Sequence, residues 1–191
     1  MQIDRIIYPV TALGPGKRVC IWTVGCEQRC PMCANPELQK FDESKEIEIE
    51  EIKKILLSPE FPIIDGFTIS GGEPFCQSKE LLKLLKVFRE ISEDILVFSG
   101  YTYKELMEMD DYDMRSCLDY IGILVAGRYI DELNDNETAL VASSNQTIHY
   151  LCSNLRDKYA SYIHQGRQIQ NVFYKNEMIS VGIHNREEKE K

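Results

Sequence analysis

The segment GCEQRCPMCANPELQ (residues 25–39) carries three thiols, Cys26, Cys30 and Cys33, within eight residues. A structural zinc site wants four ligands and a disulfide wants two. Thiolates select soft metals, and iron–sulfur clusters are held by cysteine sulfurs from tight loops. A [4Fe–4S] cube has four irons. Three cysteines at C-x3-C-x2-C serve three of them and leave the fourth free for a substrate. Other readings stand beside this one. Zinc could be completed by Cys20, Cys76 or a histidine, an electron-transfer cluster could use a distant fourth cysteine, and the spacing could be chance. His149, His164 and His184 lie far away in sequence and read as surface or packing residues.

Something must hold that loop. RVCIWTV (18–24) is apolar and β-branched, predicts a strand, and leads directly into the cysteines. EIEEIKKILLS (48–58) places Ile52, Ile55 and Leu56 at helical spacing and stops before Pro59. IDGFTIS (64–70) predicts a second strand, ending in GGEP. Ser78 is a candidate N-cap for a helix with Leu81, Leu84, Leu85 and Phe88 on one face. ILVFSG (95–100) predicts a third strand, and Thr102 with Glu105 a capping box for a short helix. YIGILVAG (120–127) predicts a fourth strand, apolar throughout as in parallel sheets covered on both faces. Residues 148–160 are expected to be helical. NVFYKNEMISVGI (171–183) alternates about a polar centre and predicts a terminal β-hairpin, although its turn lacks a glycine.

This order predicts an α/β domain with right-handed crossovers. Ligands of such sheets sit at the carboxyl ends of the strands. The cysteine loop, GGEP, Ser99-Gly100-Tyr101 and Gly127-Arg128-Tyr129 each follow a predicted strand, so they could converge on one rim.

Composition narrows the function. Hydrophobic residues are 43% of 191, enough for a core without disulfide staples. A formal charge of −9 argues against nucleic acid or an anionic membrane as partner. The opening MQIDRIIYPV lacks the basic start and long apolar run of a signal peptide, and no window reaches the roughly 20 apolar residues of a membrane span. The cysteines number seven, an odd count, and the four outside the cluster are widely scattered, which suggests a reducing, cytoplasmic setting. The tail REEKEK (186–191) reads as a disordered, solvated end.

TISGGEPF (68–75), together with GPGKR (14–18) and C-x3-C-x2-C, resembles the radical S-adenosylmethionine superfamily. More narrowly it resembles the activating proteins of anaerobic (class III) ribonucleotide reductase and other short glycyl-radical-enzyme activases. The likeness runs on through FSGYTYKEL (98–106), LVAGRYIDEL (124–133) and ASSNQ (142–146). The resemblance implies an incomplete (β/α)6-type open barrel with a C-terminal hairpin. It would be a single domain, with a core at about 5–150 and an extension at 151–185. It implies a [4Fe–4S] cluster on Cys26, Cys30 and Cys33, whose open iron chelates S-adenosylmethionine. Reductive cleavage would give methionine and a 5′-deoxyadenosyl radical, which takes a hydrogen atom from a glycine of the partner protein. No protein side chain is expected to be catalytic beyond the cluster and the cofactor. An electron donor such as flavodoxin or ferredoxin is implied.

Cofactor contacts are expected from Met32, Cys33 and Ala34 on the adenine side. Gly71, Gly72, Glu73 and Pro74 are expected beside the ammonium, the glycines for close backbone approach, Glu73 or exposed carbonyls as acceptors and Pro74 to stiffen the turn. Ser99, Gly100 and Tyr101 are expected near the ribose or the carboxylate. Cys20, Cys76, Cys117 and Cys152 read as packing residues, as does Trp22. Asn145 and Gln146 read as anchors of their own loop. Arg128 reads equally as a rim cation for a carboxylate and as an exposed loop arginine. The acidic run Glu48 to Glu51 reads as a solvated face. Two rival functions remain open on the sequence. One is a radical maturase acting on a peptide or small molecule, and the other a non-catalytic iron–sulfur or zinc-binding module.

Overall fold

The computed structural model describes residues 1–186. Six strands form one sheet in chain order: β1 (Ile3–Val10), β2 (Arg18–Thr23), β3 (Gly66–Gly71), β4 (Ile95–Ser99), β5 (Ile123–Ala126) and β6 (Thr147–Tyr150). β2 to β5 are parallel, and β1 and β6 close the two edges antiparallel. The four strands expected from sequence are the parallel core, each buried along most of its length.

Four helices cover one face: α1 (Ile49–Leu56), α2 (Ser78–Arg89), α3 (Tyr103–Glu108) and α4 (Tyr112–Cys117). Alternate strand residues such as Val19, Ile21, Phe67, Ile69 and Val97 pack there against Ile52, Leu81, Leu84, Leu85 and Phe88. Phe67 stacks on Phe88 at 3.8 Å between ring centroids. The Thr102–Glu105 capping box is formed. Ser78 is the first helical residue rather than the cap, and its hydroxyl bonds to Asp111 at 3.1 Å.

The intervening strand residues point to the other face. There Leu96, Ile123 and Val125 meet Tyr159 and Tyr162 of α5 (Arg156–Ile163). Residues 148–160 are therefore not one helix. The apolar–polar alternation of TIHY pairs it with β5 as β6, and α5 starts only at Arg156. The predicted hairpin is β7 (Ile169–Tyr174) and β8 (Glu177–Gly182). Lys175 and Asn176 both take positive φ, 48° and 67°, so the turn has the sense favoured by two-residue hairpins without a glycine. The hairpin is a separate two-stranded sheet. It does not extend the edge of the main sheet. Val181, Val172 and Ile179 lie instead on the cluster of Ile7, Cys20 and Trp22, covering the inner side of β1 and β2.

A buried polar knot ties the start of the parallel strands to α5. Arg18 is fully buried and donates to Asp94 at 3.0 Å and to Thr68 at 2.7 Å. The Asp94 carboxylate also accepts from Lys158 and Tyr159, each at 2.6 Å. Arg186, expected in the frayed tail, pairs with Asp131 at 3.0 Å, and its amide donates to Asn136. The rest of that predicted tail, residues 187–191, lies outside the described residues. Among the described residues no helix is long and apolar enough to cross a membrane.

Candidate cofactor and cluster site

The carboxyl ends of β2 to β5 open onto a cavity of about 440 Å³, within the range of roughly 300–1,000 Å³ usual for small-molecule sites. The cysteine loop forms one wall. Its backbone is pinned before and within the motif: Gly25 N donates to Leu38 O at 2.8 Å and Cys26 N to Gln39 O at 2.9 Å. The glycine turn after β3 is tied to the same loop, with Glu73 N donating to Gly25 O and Gly72 N to Thr23 O, both at 2.8 Å. Thus the three thiols and the Gly71-Gly72-Glu73 turn share one cavity.

The two glycines also serve a purpose within the protein. A Cβ at Gly71, where φ is +107°, would strike the backbone of Thr23, and one at Gly72 would strike the carbonyl of Gly25. They let two protein segments approach each other as well as any ligand.

Glu73 has internal partners as well. It is 1% exposed, and its carboxylate accepts from Gly100 N at 2.6 Å, Ser99 Oγ at 2.9 Å and Phe75 N at 3.1 Å. Burial pushes its pKa up to about 7, against the three hydrogen bonds that favour the anion. Glu73 thereby locks the end of β3 to the end of β4. Three of its acceptor positions are thus engaged within the protein.

Cys26, Cys30, Met32, Cys33, Ala34, Gly71, Gly72, Glu73, Ser99 and Gly100 all line the cavity. Pro74 and Tyr101 do not. Pro74 is buried in the short 3₁₀ turn before α2. Tyr101 lies beside Cys76, and burial raises its phenol to about 12. The Cys76 thiol, near Cys26, is raised to about 11 by burial. Met32 is 61% exposed and stands at φ 56°. Asn145 and Gln146 are loop anchors as expected: Asn145 donates to Arg128 O at 2.8 Å, while Gln146 bridges Ala142 N and Gly127 O. Arg128 is exposed, although its neighbours Gly127 and Tyr129 reach the cavity.

Sequence reasoning missed one whole wall. Residues 182–186, leaving β8, line the cavity, and His184 is among them. Arg167 holds this segment by donating to His184 O at 3.0 Å, and it also reaches Asn134 at 2.8 Å and Asp135 at 3.2 Å on the loop after β5. The alternating hairpin pattern was visible, but nothing in it says where the chain goes next. Gln28, between the first two cysteines, is a second omission: its type carries no motif signal.

The donor set suits an iron–sulfur cluster. All seven cysteines are free thiols, and three of them lie on one pinned loop beside a ligand-sized cavity. Among the described residues no three His, Cys, Asp or Glu side chains gather closely enough to hold a single ion. A cube takes its thiolates on separate irons and does not need them gathered about one point. Burial raises the Cys26 thiol, opposed by the amides of Arg29 and Gln28 that point at its sulfur. Those amides would equally favour a thiolate bound to metal.

The family model for a 4Fe-4S single cluster domain matches residues 12–149, most of the chain and the whole of the cysteine and glycine walls. The chain belongs to that family, as a radical S-adenosylmethionine enzyme of the glycyl-radical activase type with an iron–sulfur cluster and S-adenosylmethionine as cofactors. It is 30% identical over 156 residues to the anaerobic ribonucleoside-triphosphate reductase-activating protein of Escherichia coli (strain K12), covering 75% of this chain and 96% of that protein. The protein of the same name from Salmonella typhimurium is 29% identical over 152 residues, with the same coverage. The pyruvate formate-lyase-activating enzyme of Staphylococcus aureus (strain USA300) is 40% identical over 85 residues, which is 42% of this chain and 34% of that enzyme.

Proposed function

We propose that this protein activates an anaerobic ribonucleoside-triphosphate reductase by generating a glycyl radical on it. The observation that carries the reading is the convergence of three loop thiols and the Gly-Gly-Glu turn on one cavity at the carboxyl ends of the parallel strands. The likeness to reductase-activating proteins over 96% of their length supports that partner over others.

Cys26, Cys30 and Cys33 would hold the cluster, and the cavity would hold S-adenosylmethionine between Met32–Ala34, Gly71–Glu73 and Ser99–Gly100. The chemistry this pair supplies when bound is one-electron cleavage of the sulfonium to methionine and a 5′-deoxyadenosyl radical, which abstracts hydrogen from the partner's glycine. The chain's own part is positional. Glu73 fixes the distance between the turn after β3 and the end of β4. The amides of Gln28 and Arg29 set the environment of Cys26. The wall at 182–186 limits the approach of water and of other quenchers.

The sheet is read as the incomplete (β/α)6-type open barrel, with residues 1–191 one functional domain. Four helices on one face, four parallel strands and a cavity at their carboxyl ends support this. An open rim admits a protein loop, as the glycine substrate requires. The electron is expected from a small carrier such as flavodoxin or ferredoxin, in the cytoplasm, where free thiols persist.

The test is to mix the anaerobically reconstituted protein, S-adenosylmethionine and a reductant with a candidate reductase, and to record the EPR spectrum. A glycine-centred doublet on the reductase is expected. Cofactor cleavage without that doublet would overturn the partner assignment and favour a maturase of peptides or small molecules.

A further inference from the structure

One side of the cavity is closed by a segment that lies outside the family match. The last pair of the hairpin is Ile169 with Gly182, and residues 184–186 run on from there along the cavity. Ile183 still packs on the cluster around Trp22, whereas His184 and Asn185 are exposed.

The walls are built in two ways. The cysteine loop and the glycine turn are joined by main-chain hydrogen bonds, Glu73 N to Gly25 O and Gly72 N to Thr23 O. Among the described residues, 184–186 make no hydrogen bond from main chain to main chain. Side chains hold them instead. Arg167 donates to His184 O at 3.0 Å and to Asn185 Oδ1 at 3.4 Å. Arg186 N donates to Asn136 Oδ1 at 2.6 Å, and the Arg186 guanidinium pairs with Asp131 at 3.0 Å. Asp131 and Asn134 line the cavity too, so these contacts join the segment to the loop after β5. Single hydrogen bonds and partly exposed ion pairs are weak links, so this wall yields before the others.

Size gives such a movement its use. A volume of about 440 Å³ lies in the lower part of the range for one drug-sized ligand. A glycine within a polypeptide arrives with its neighbours on both sides. Once the cofactor is in place, the closed cavity has no room for them.

We infer that residues 184–186 are a gate over the cavity, latched by Arg167 and Arg186 to the loop after β5 and displaced when the glycyl-radical partner docks. This rests on the proposed function. The closed gate keeps water from the site until the partner has arrived. A partner that needs the open form binds more weakly in proportion to the fraction of molecules that are open.

The test uses the full-length, cluster-loaded protein as Asn136→Gly and Arg186→Ala beside the unaltered chain. Asn136 does not line the cavity, and its φ of 60° suits glycine, so Asn136→Gly removes the acceptor of the Arg186 amide without straining the loop. Arg186→Ala keeps that amide and removes the ion pair. Hydrogen exchange of the residue 186 amide is measured, then 5′-deoxyadenosine formed without reductase, then the EPR glycyl-radical yield against the concentration of the candidate reductase. Asn136→Gly is expected to speed exchange at residue 186 and to leave cofactor cleavage without reductase unchanged. It is expected to lower the half-saturating reductase concentration about fivefold, as for one hydrogen bond that docking no longer has to break. Arg186→Ala is expected to act in the same direction, and it carries the test where Asn136→Gly does not fold. An unchanged or raised half-saturating concentration in Asn136→Gly would overturn the inference and make the segment a fixed wall, as would unchanged exchange at residue 186. If the unaltered protein places no radical on the reductase at any concentration, the functional reading falls and the gate with it, which separates the two failures.

Discussion

Each thiol of the cysteine loop is half-buried, so replacing one removes little packing while deleting a soft donor. Cys26→Ala, Cys30→Ala and Cys33→Ala are each expected to abolish cluster assembly, read as iron and sulfide per chain. The cluster-free fold should change by no more than about 1 kcal/mol in urea denaturation. Glu73 behaves differently, because its role is internal. Its pKa is raised from 4.5 to about 7 by burial, so the folded state holds the proton more tightly than the unfolded chain. The stability this contributes is complete below about pH 4.5 and is lost as pH rises through about 7, a span of roughly 3 kcal/mol. Denaturation of the cluster-free protein between pH 4 and 8 should show this slope, and Glu73→Gln, which does not titrate, should flatten it. The three cysteines and the Gly-Gly-Glu turn were legible in the sequence, because spacing and glycine content mark them. The duty of Glu73 was not. Its partners at Ser99 and Gly100 are 26 and 27 residues away and become neighbours only when β3 and β4 pair.

Among the elements, the four parallel strands could be read directly, because strands covered on both faces leave continuous apolar runs. The two edge strands could not. β1 alternates irregularly, with register shifts against β2, and β6 is only four residues long and partly exposed. The buried knot beneath the sheet was invisible too, since Arg18 looks like any charged residue after a glycine-rich stretch. It can be tested. Asp94→Ala leaves the Arg18 guanidinium buried without its counter-ion and strips Lys158 and Tyr159 of a shared acceptor. A loss of about 3–5 kcal/mol is expected in urea denaturation. A loss below about 1 kcal/mol would show that the knot does not hold β4 to α5.

For the molecule as a whole, the family match ends at residue 149, while the cavity takes part of its wall from residues 182–186. The hairpin is thus more than a cover for β1 and β2: it delivers a strap to the cavity wall. Arg167 and the Arg186–Asp131 pair clamp that strap to the loop after β5. Arg167→Ala should therefore raise hydrogen exchange in residues 134–142 and 182–186 together while leaving β2 to β5 protected. An increase in only one of the two segments would show that they are not coupled. The central claim is that three loop thiols hold a cluster whose remaining iron is open to S-adenosylmethionine within this cavity. It is tested most directly by reducing the anaerobically reconstituted protein with excess S-adenosylmethionine and quantifying 5′-deoxyadenosine. Formation of 5′-deoxyadenosine and methionine in equal amounts is expected, with none from Cys30→Ala. A fully loaded, reduced cluster that yields no 5′-deoxyadenosine would contradict it.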